Sequence, residues 1–203
     1  MAVAAGIMVP HPPLIVPDVG RGQEILIKDT IKAYQEAAGM AAELKPDTLV
    51  VISPHAVMYA DYFHVSPGKE ARGDFGRFMA PQIGVEAGYD EAFVRELDRL
   101  CGDDDFPMGT EGEREKELDH GTLVPLYFIS QHFRAYKLVR IGGSGLSFAD
   151  HYRAGRYIAR AAENLGRSVF IVASGDLSHK LRGDGPYGYS VQGLEYDERI
   201  MDV

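Results

Sequence analysis

The run Thr48 to Ile52 (TLVVI) constrains the fold of this 203-residue chain more than any other stretch. It is continuous, β-branched and without polar alternation, so a strand made from it must be covered on both faces. Val3 to Val9, Lys137 to Ile141 and Ser168 to Ala173 have the same strand-like character. Between these runs lie stretches with helical spacing. Gln23 to Leu44 repeats apolar residues at Ile27, Ile31, Tyr34, Ala38, Ala41 and Ala42 and ends at Pro46-Asp47. Asp90 to Leu100 sets Phe93, Val94, Leu97 and Leu100 on one side. Gly121 to Ser130 reads as a short buried helix, and Phe148 to Leu165 as a helix stopped by Gly166. Strands alternating with helices predict an α/β fold, a single-domain sandwich with a largely parallel central sheet flanked by helices.

The remaining stretches are less regular. Tyr62 to Ser66 reads as a short strand, Gly68 to Gly76 as a loop or hairpin, and Cys101 to Leu118 as a long acidic loop. Gly142 to Gly145 matches neither a dinucleotide fingerprint nor a P-loop and reads as a tight turn. Gly193 to Val203 begins a helix that shows no stop signal, so the domain, residues 1–203, is expected to be truncated at its C-terminus.

Composition excludes several classes of function. The net charge is -9, with acidic clusters at Asp103-Asp104-Asp105 and from Glu111 to Asp119, so no nucleic acid is expected as a partner. The apolar runs are all too short to cross a membrane, so no membrane partner is expected. The single cysteine, Cys101, cannot form a disulfide within the chain and fits a cytoplasmic, reducing setting.

Three histidines follow strand-like runs. His11 lies in VPHPP, His55 in ISPHA and His179 in SGDLSHK. Ligands of open α/β sheets bind beyond the carboxyl ends of the strands, so these side chains are placed to converge although far apart in sequence. Imidazole serves there either as a metal ligand or as an acid/base group. Pro10, Pro12, Pro13 and Pro54 stiffen the backbone beside His11 and His55. His120, in ELDHGT, is a further candidate in its own right, because adjacent side chains such as Asp119 point apart. His64, His132 and His151 read as structural or exposed. Ser174 and Ser178 stand near His179 without the G-x-S-x-G elbow of a serine hydrolase.

The segments VPHPPLIVPDVG, VVISPHAVMYADYFHVSPG, ELDHGTLVPLYFI and VASGDLSHKL…DGPYGY, in that order, resemble the class III extradiol ring-cleavage dioxygenases. They are similar to the catalytic beta subunit of protocatechuate 4,5-dioxygenase and to the related Memo-like proteins. The resemblance covers most of the chain. It implies an α/β fold, a small aromatic substrate and O2, and non-haem Fe(II) held by two histidines and a carboxylate. Some members are fused to a second domain, so a fused or partner domain and a homo-oligomer are both compatible with it. By motif, His11 and His55 match the histidine ligands, His179 the acid/base histidine, and His120 a further active-site histidine. The carboxylate departs from the pattern, since Glu195 and Glu198 are the nearby candidates and neither sits in a matched motif; Glu195 is taken as the third ligand. Some relatives hold zinc or another metal through three histidines or two histidines and a cysteine, which keeps open a Memo-like binding protein or a zinc metallohydrolase. Under the dioxygenase reading, His179 stands off the metal and His120 lines the pocket without ligating.

Overall fold

Parallel pairing joins the four apolar runs into one sheet. The computed structural model describes residues 2–202. In chain order its main elements are β1 (Val3–Val9), α1 (Pro17–Gly20), α2 (Lys28–Leu44), β2 (Thr48–Ser53), β3 (Phe63–His64), β4 (Glu70–Phe75), β5 (Ala80–Gly88), α3 (Glu91–Asp103), β6 (Met108–Gly109), α4 (His120–His132), β7 (Lys137–Gly142), α5 (Phe148–Leu165), β8 (Val169–Ser174) and α6 (Val191–Met201). The central sheet has the order β1-β8-β2-β7, and every pair in it is parallel. All its carboxyl ends therefore lie on one edge.

Side-chain alternation explains why TLVVI carries no polar position. Leu49 and Val51 belong to the core layer that contains Tyr34 and Ala38 of α2 and Leu123 and Phe128 of α4. Val50 faces the opposite layer, with Phe93 and Leu97 of α3 and Ile158 and Ala161 of α5. Both faces of β2 are thus covered by helices, and each large side chain buried this way contributes about 1.5–3 kcal/mol. Local signals set the helix ends. Asp90 caps α3 by accepting from Phe93 N at 3.3 Å, and its other oxygen accepts from Thr48 Oγ1 at 2.7 Å. Ser147 caps α5, and Gly166 ends it at φ 61.

Several expectations change in detail. The helical pattern from Gln23 is two elements, because Ile27 leaves helical geometry (φ -122, ψ 33); Gln23–Ile27 is a 3-10 turn with Ile25 and Leu26 exposed. The stretch from Gly68 is the first arm of a hairpin, β4 paired antiparallel with β5. β5 buries only Ala80 and Val85, so its sequence lacks the apolar run that marked the central strands. The expected strand from Tyr62 to Ser66 is reduced to two residues, paired with β6 inside the acidic loop. The turn from Gly142 is a close approach of backbones rather than an anion cradle, since a Cβ on Gly142 would meet Val57 O at 1.9 Å. The last helix begins at Val191, and Val203 lies outside the described residues. No helix among the described residues is long and apolar enough to cross a membrane.

Candidate metal centre

Three adjacent strands, β1, β8 and β2, each release a polar side chain two residues past their last member: His11 after Val9, Asp176 after Ser174 and His55 after Ser53. The offset puts all three on the carboxyl edge of the sheet. α4 points its first residue, His120, at the same place. The nitrogens of His11, His55 and His120 able to bind a metal all lie within 4.8 Å of one another. His11 Nε2 and His55 Nε2 are 3.0 Å apart, and two nitrogens bound cis to one ion at about 2.1 Å would stand about 3.0 Å apart. The His55 and His120 rings are 4.0 Å apart between centroids, and the His11 and His120 rings 5.4 Å.

The first turn of α4 is the hub that sets these rings. Asp119 is its N-cap and accepts from Thr122 N at 3.0 Å. The same Oδ1 accepts from Ser53 Oγ at 2.6 Å, and Ser53 Oγ in turn accepts from His55 N at 3.1 Å. Gly121 serves the third ring. Four residues on stands Pro125, which has no N–H to give, so the Gly121 carbonyl lacks its helical donor. Ser174 Oγ donates to that carbonyl at 2.5 Å, which spends its one hydrogen. Ser174 can then only accept from His11 Nδ1, 2.9 Å away, and the tautomer of His11 follows. Its Nδ1 carries the proton and its Nε2 presents a lone pair to the centre. Glycine is required at 121, because a Cβ would lie 2.4 Å from Ser53 Oγ and 3.3 Å from the His55 ring.

Burial favours the neutral state that ligation needs. Desolvation lowers the pKa of His11, and Asp176 opposes that shift. His120 is pushed down to about 4, by desolvation first and then by His55 and His11. The lowered pKa of His11, its fixed tautomer and the 3.0 Å spacing of its Nε2 from His55 Nε2 fit a divalent metal held by His11 and His55. Beside the rings lies a cavity of about 210 Å³ whose lining includes Arg77, Phe78, Glu115 and Leu118. The Phe78 ring meets His120 edge-on at 5.4 Å. A larger, polar groove of about 900 Å³ runs between the β4–β5 hairpin and the end of α4 and has no histidine in its lining.

The remaining sequence candidates lie further out. His179 stands off the three rings, is about half exposed, and has Nε2 3.2 Å from Asp176 Oδ2. Asp176 also accepts from His11 N at 2.9 Å, and its Oδ2 lies 3.5 Å from His11 Nε2. It went unassigned in the sequence although SGDLSHK contains it; its matching offset from the strand end was the available signal. Glu195 is exposed on α6 and is not brought into the cluster. The carboxylate that α6 does bury is Asp197, which accepts from Ser178 N at 2.7 Å and so anchors the loop carrying His179. His64, His132 and His151 bond away from the centre, to the Glu111 carbonyl, Gln35 and the Ser147 carbonyl.

Comparison with known proteins gives a family and two relatives. The family described as the catalytic LigB subunit of aromatic ring-opening dioxygenase matches residues 5–203. Protein CA_C1420 of Clostridium acetobutylicum is 37% identical over 202 residues, covering 96% of this chain and 43% of that protein. A 3,4-dihydroxyphenylacetate 2,3-dioxygenase of Escherichia coli is 25% identical over 185 residues, covering 85% of this chain and 66% of that protein. The chain thus spans less than half the length of the first relative and about two thirds of the second.

Proposed function

The chain belongs to the family of the catalytic LigB subunit of aromatic ring-opening dioxygenases, and from that premise we propose that it is a metal-dependent extradiol-type dioxygenase acting on a catechol-like aromatic. The observation that carries this reading is the 3.0 Å approach of His11 Nε2 to His55 Nε2 at the carboxyl edge of a parallel sheet. His11 and His55 would hold the metal, with Fe(II) favoured by the family and Zn(II) the competitor. A bound Fe(II) would supply open coordination positions where an aromatic diol and O2 can meet.

The chain's own residues supply orientation and proton handling. Phe78 gives an aromatic ring a face to pack on, beside His120. His120, neutral at ordinary pH, can accept a hydrogen bond from a substrate hydroxyl. His179 is the acid/base group of this reading, with Asp176 orienting its ring and Asp197 fixing its loop. Glu195 is not carried into the ligand set, because α6 turns it to solvent. The name of the Escherichia coli relative supports a dihydroxylated ring as substrate. The buried, free Cys101 is compatible with the cytoplasm.

Oxygen uptake tests the proposal. Protein loaded anaerobically with Fe(II) is expected to consume O2 when given a member of a catechol panel and to form a ring-opened product; no uptake with any member sinks it. The gathering of three histidines favours a second reading, a three-histidine zinc site suited to hydrolysis or to Memo-like ligand binding. His120→Ala separates the two. Under the first reading the variant keeps stoichiometric metal and turns over more slowly; under the second it loses its metal.

A further inference from the structure

A buried cation from another element holds the hub at the start of α4. Arg140 lies in the middle of β7, in a run whose neighbours are apolar, and its side chain is fully buried. Its Nη1 donates to the carbonyls of Glu115 at 3.2 Å and Glu117 at 3.1 Å. Its Nε lies 3.4 Å from Asp119 Oδ2, and Asp119 is itself almost fully buried. Burying a guanidinium is costly, and an apolar residue of similar size often serves stability as well or better. Here the cost is recovered only in part, through the two carbonyls on Nη1 and the Asp119 carboxylate facing Nε, since neither Nε nor Nη2 makes a full hydrogen bond among the described residues. Stability of β7 alone therefore does not call for an arginine. Its placement does: one planar cation reaches the two carbonyls that end the acidic loop and the carboxylate that caps α4.

We propose that Arg140 is the positioning residue of the histidine centre, acting through Asp119 and Ser53 on His55 and His120. The Arg140 cation faces the Asp119 carboxylate and holds it where it caps α4 and accepts from Ser53. Ser53 in turn holds the His55 backbone. Pinning residues 115 and 117 fixes the approach to Asp119, and with it the direction in which His120 leaves the helix. The sequence places no histidine or known ligand motif near Arg140, so its effect on the centre is through these contacts alone. The inference rests on the metal reading for one of its two tests and not for the other.

Arg140→Lys keeps the charge but replaces the planar guanidinium fork with three donors on one nitrogen, which cannot span acceptors that the guanidinium meets from Nη1 on one side and Nε on another. In metal-free protein, the imidazole nitrogen NMR signals of His55 and His120 are expected to move, while those of His132 and His151, bonded elsewhere, stay in place. In a Co(II) titration followed by visible absorption, the Kd is expected to weaken about 10–100-fold with displaced bands, as for other outer partners of metal ligands. A uniform loss of stability would move neither readout selectively. Unchanged imidazole signals overturn the proposal. So do moved signals with wild-type Co(II) affinity in a protein that binds Co(II). Should Arg140→Lys fail to fold, Ser53→Ala cuts the same chain without touching a charge, and the same two readouts decide by the same criterion. Wild-type protein that takes up no Co(II), with imidazole signals that still move in the variant, would overturn the metal reading and uphold the positioning role.

Discussion

His55→Ala is expected to fold normally and to hold no stoichiometric divalent metal. The ring is exposed, so its removal leaves no buried cavity. It does remove the nitrogen that stands 3.0 Å from His11 Nε2, and with it one of the two donors on which the proposed site depends. Metal analysis of protein purified without chelators, beside a thermal melt, checks both halves. Wild-type metal content in this variant would refute the site. His11→Ala should lose metal as well, but at a further cost. His11 is 2% exposed and donates to Ser174, whose hydroxyl would lose that partner in a buried place. Losing a buried hydrogen-bond partner costs about 1–3 kcal/mol, and a buried ring is lost as well, so the melting temperature should fall further in this variant than in the first.

His179→Ala is expected to do the reverse, keeping the metal and losing the chemistry. The ring stands outside the group formed by His11, His55 and His120, and its bond to Asp176 leaves the other ring nitrogen free to meet substrate. Loss of a positioned acid/base group lowers turnover by about 10²–10⁴-fold. Single-turnover kinetics on Fe(II)-loaded protein, with metal content measured on the same sample, provides the check. A variant that loses its metal would make His179 a ligand, and the function would shift toward hydrolysis or binding. A variant with full metal and undiminished turnover would remove His179 from the mechanism.

How much of this was legible in the sequence depended on the reach of each interaction. The four central strands and helices α3 and α5 could be read locally, because burial on two faces or one leaves a period in the residues themselves. β5 could not, because a hairpin arm with two buried residues has no such period. The meeting place of His11 and His55 followed from a topological rule about strand ends, without any knowledge of contacts. The hub was out of reach. The link from Ser53 to Asp119 spans 66 positions and that from Ser174 to Gly121 spans 53, and neither leaves a trace in its own neighbourhood. One trace did exist: Gly121 and Pro125, four apart in GTLVP, announce a carbonyl without a helical donor. Arg140 was invisible for the opposite reason, since a charged residue in a short apolar run reads as exposed, while the fold buries its side chain although β7 is an edge strand. The Asp119 carboxylate bonds Ser53 and Thr122 and faces Arg140 rather than bonding His120, although both side chains line one cavity.

The long spans of the hub also fix when such a centre can come into being. His11 takes its place from Ser174 and Asp176, more than 160 positions later, and β1 joins the sheet only by pairing with β8. A chain growing from the ribosome holds all three histidines once residue 120 is made, yet has no strand on which to seat the first. An ion cannot act as the nucleus around which this protein folds, as zinc does in a zinc finger. The non-local sheet must close first, and a metal held by the proposed centre would be taken up by a finished fold.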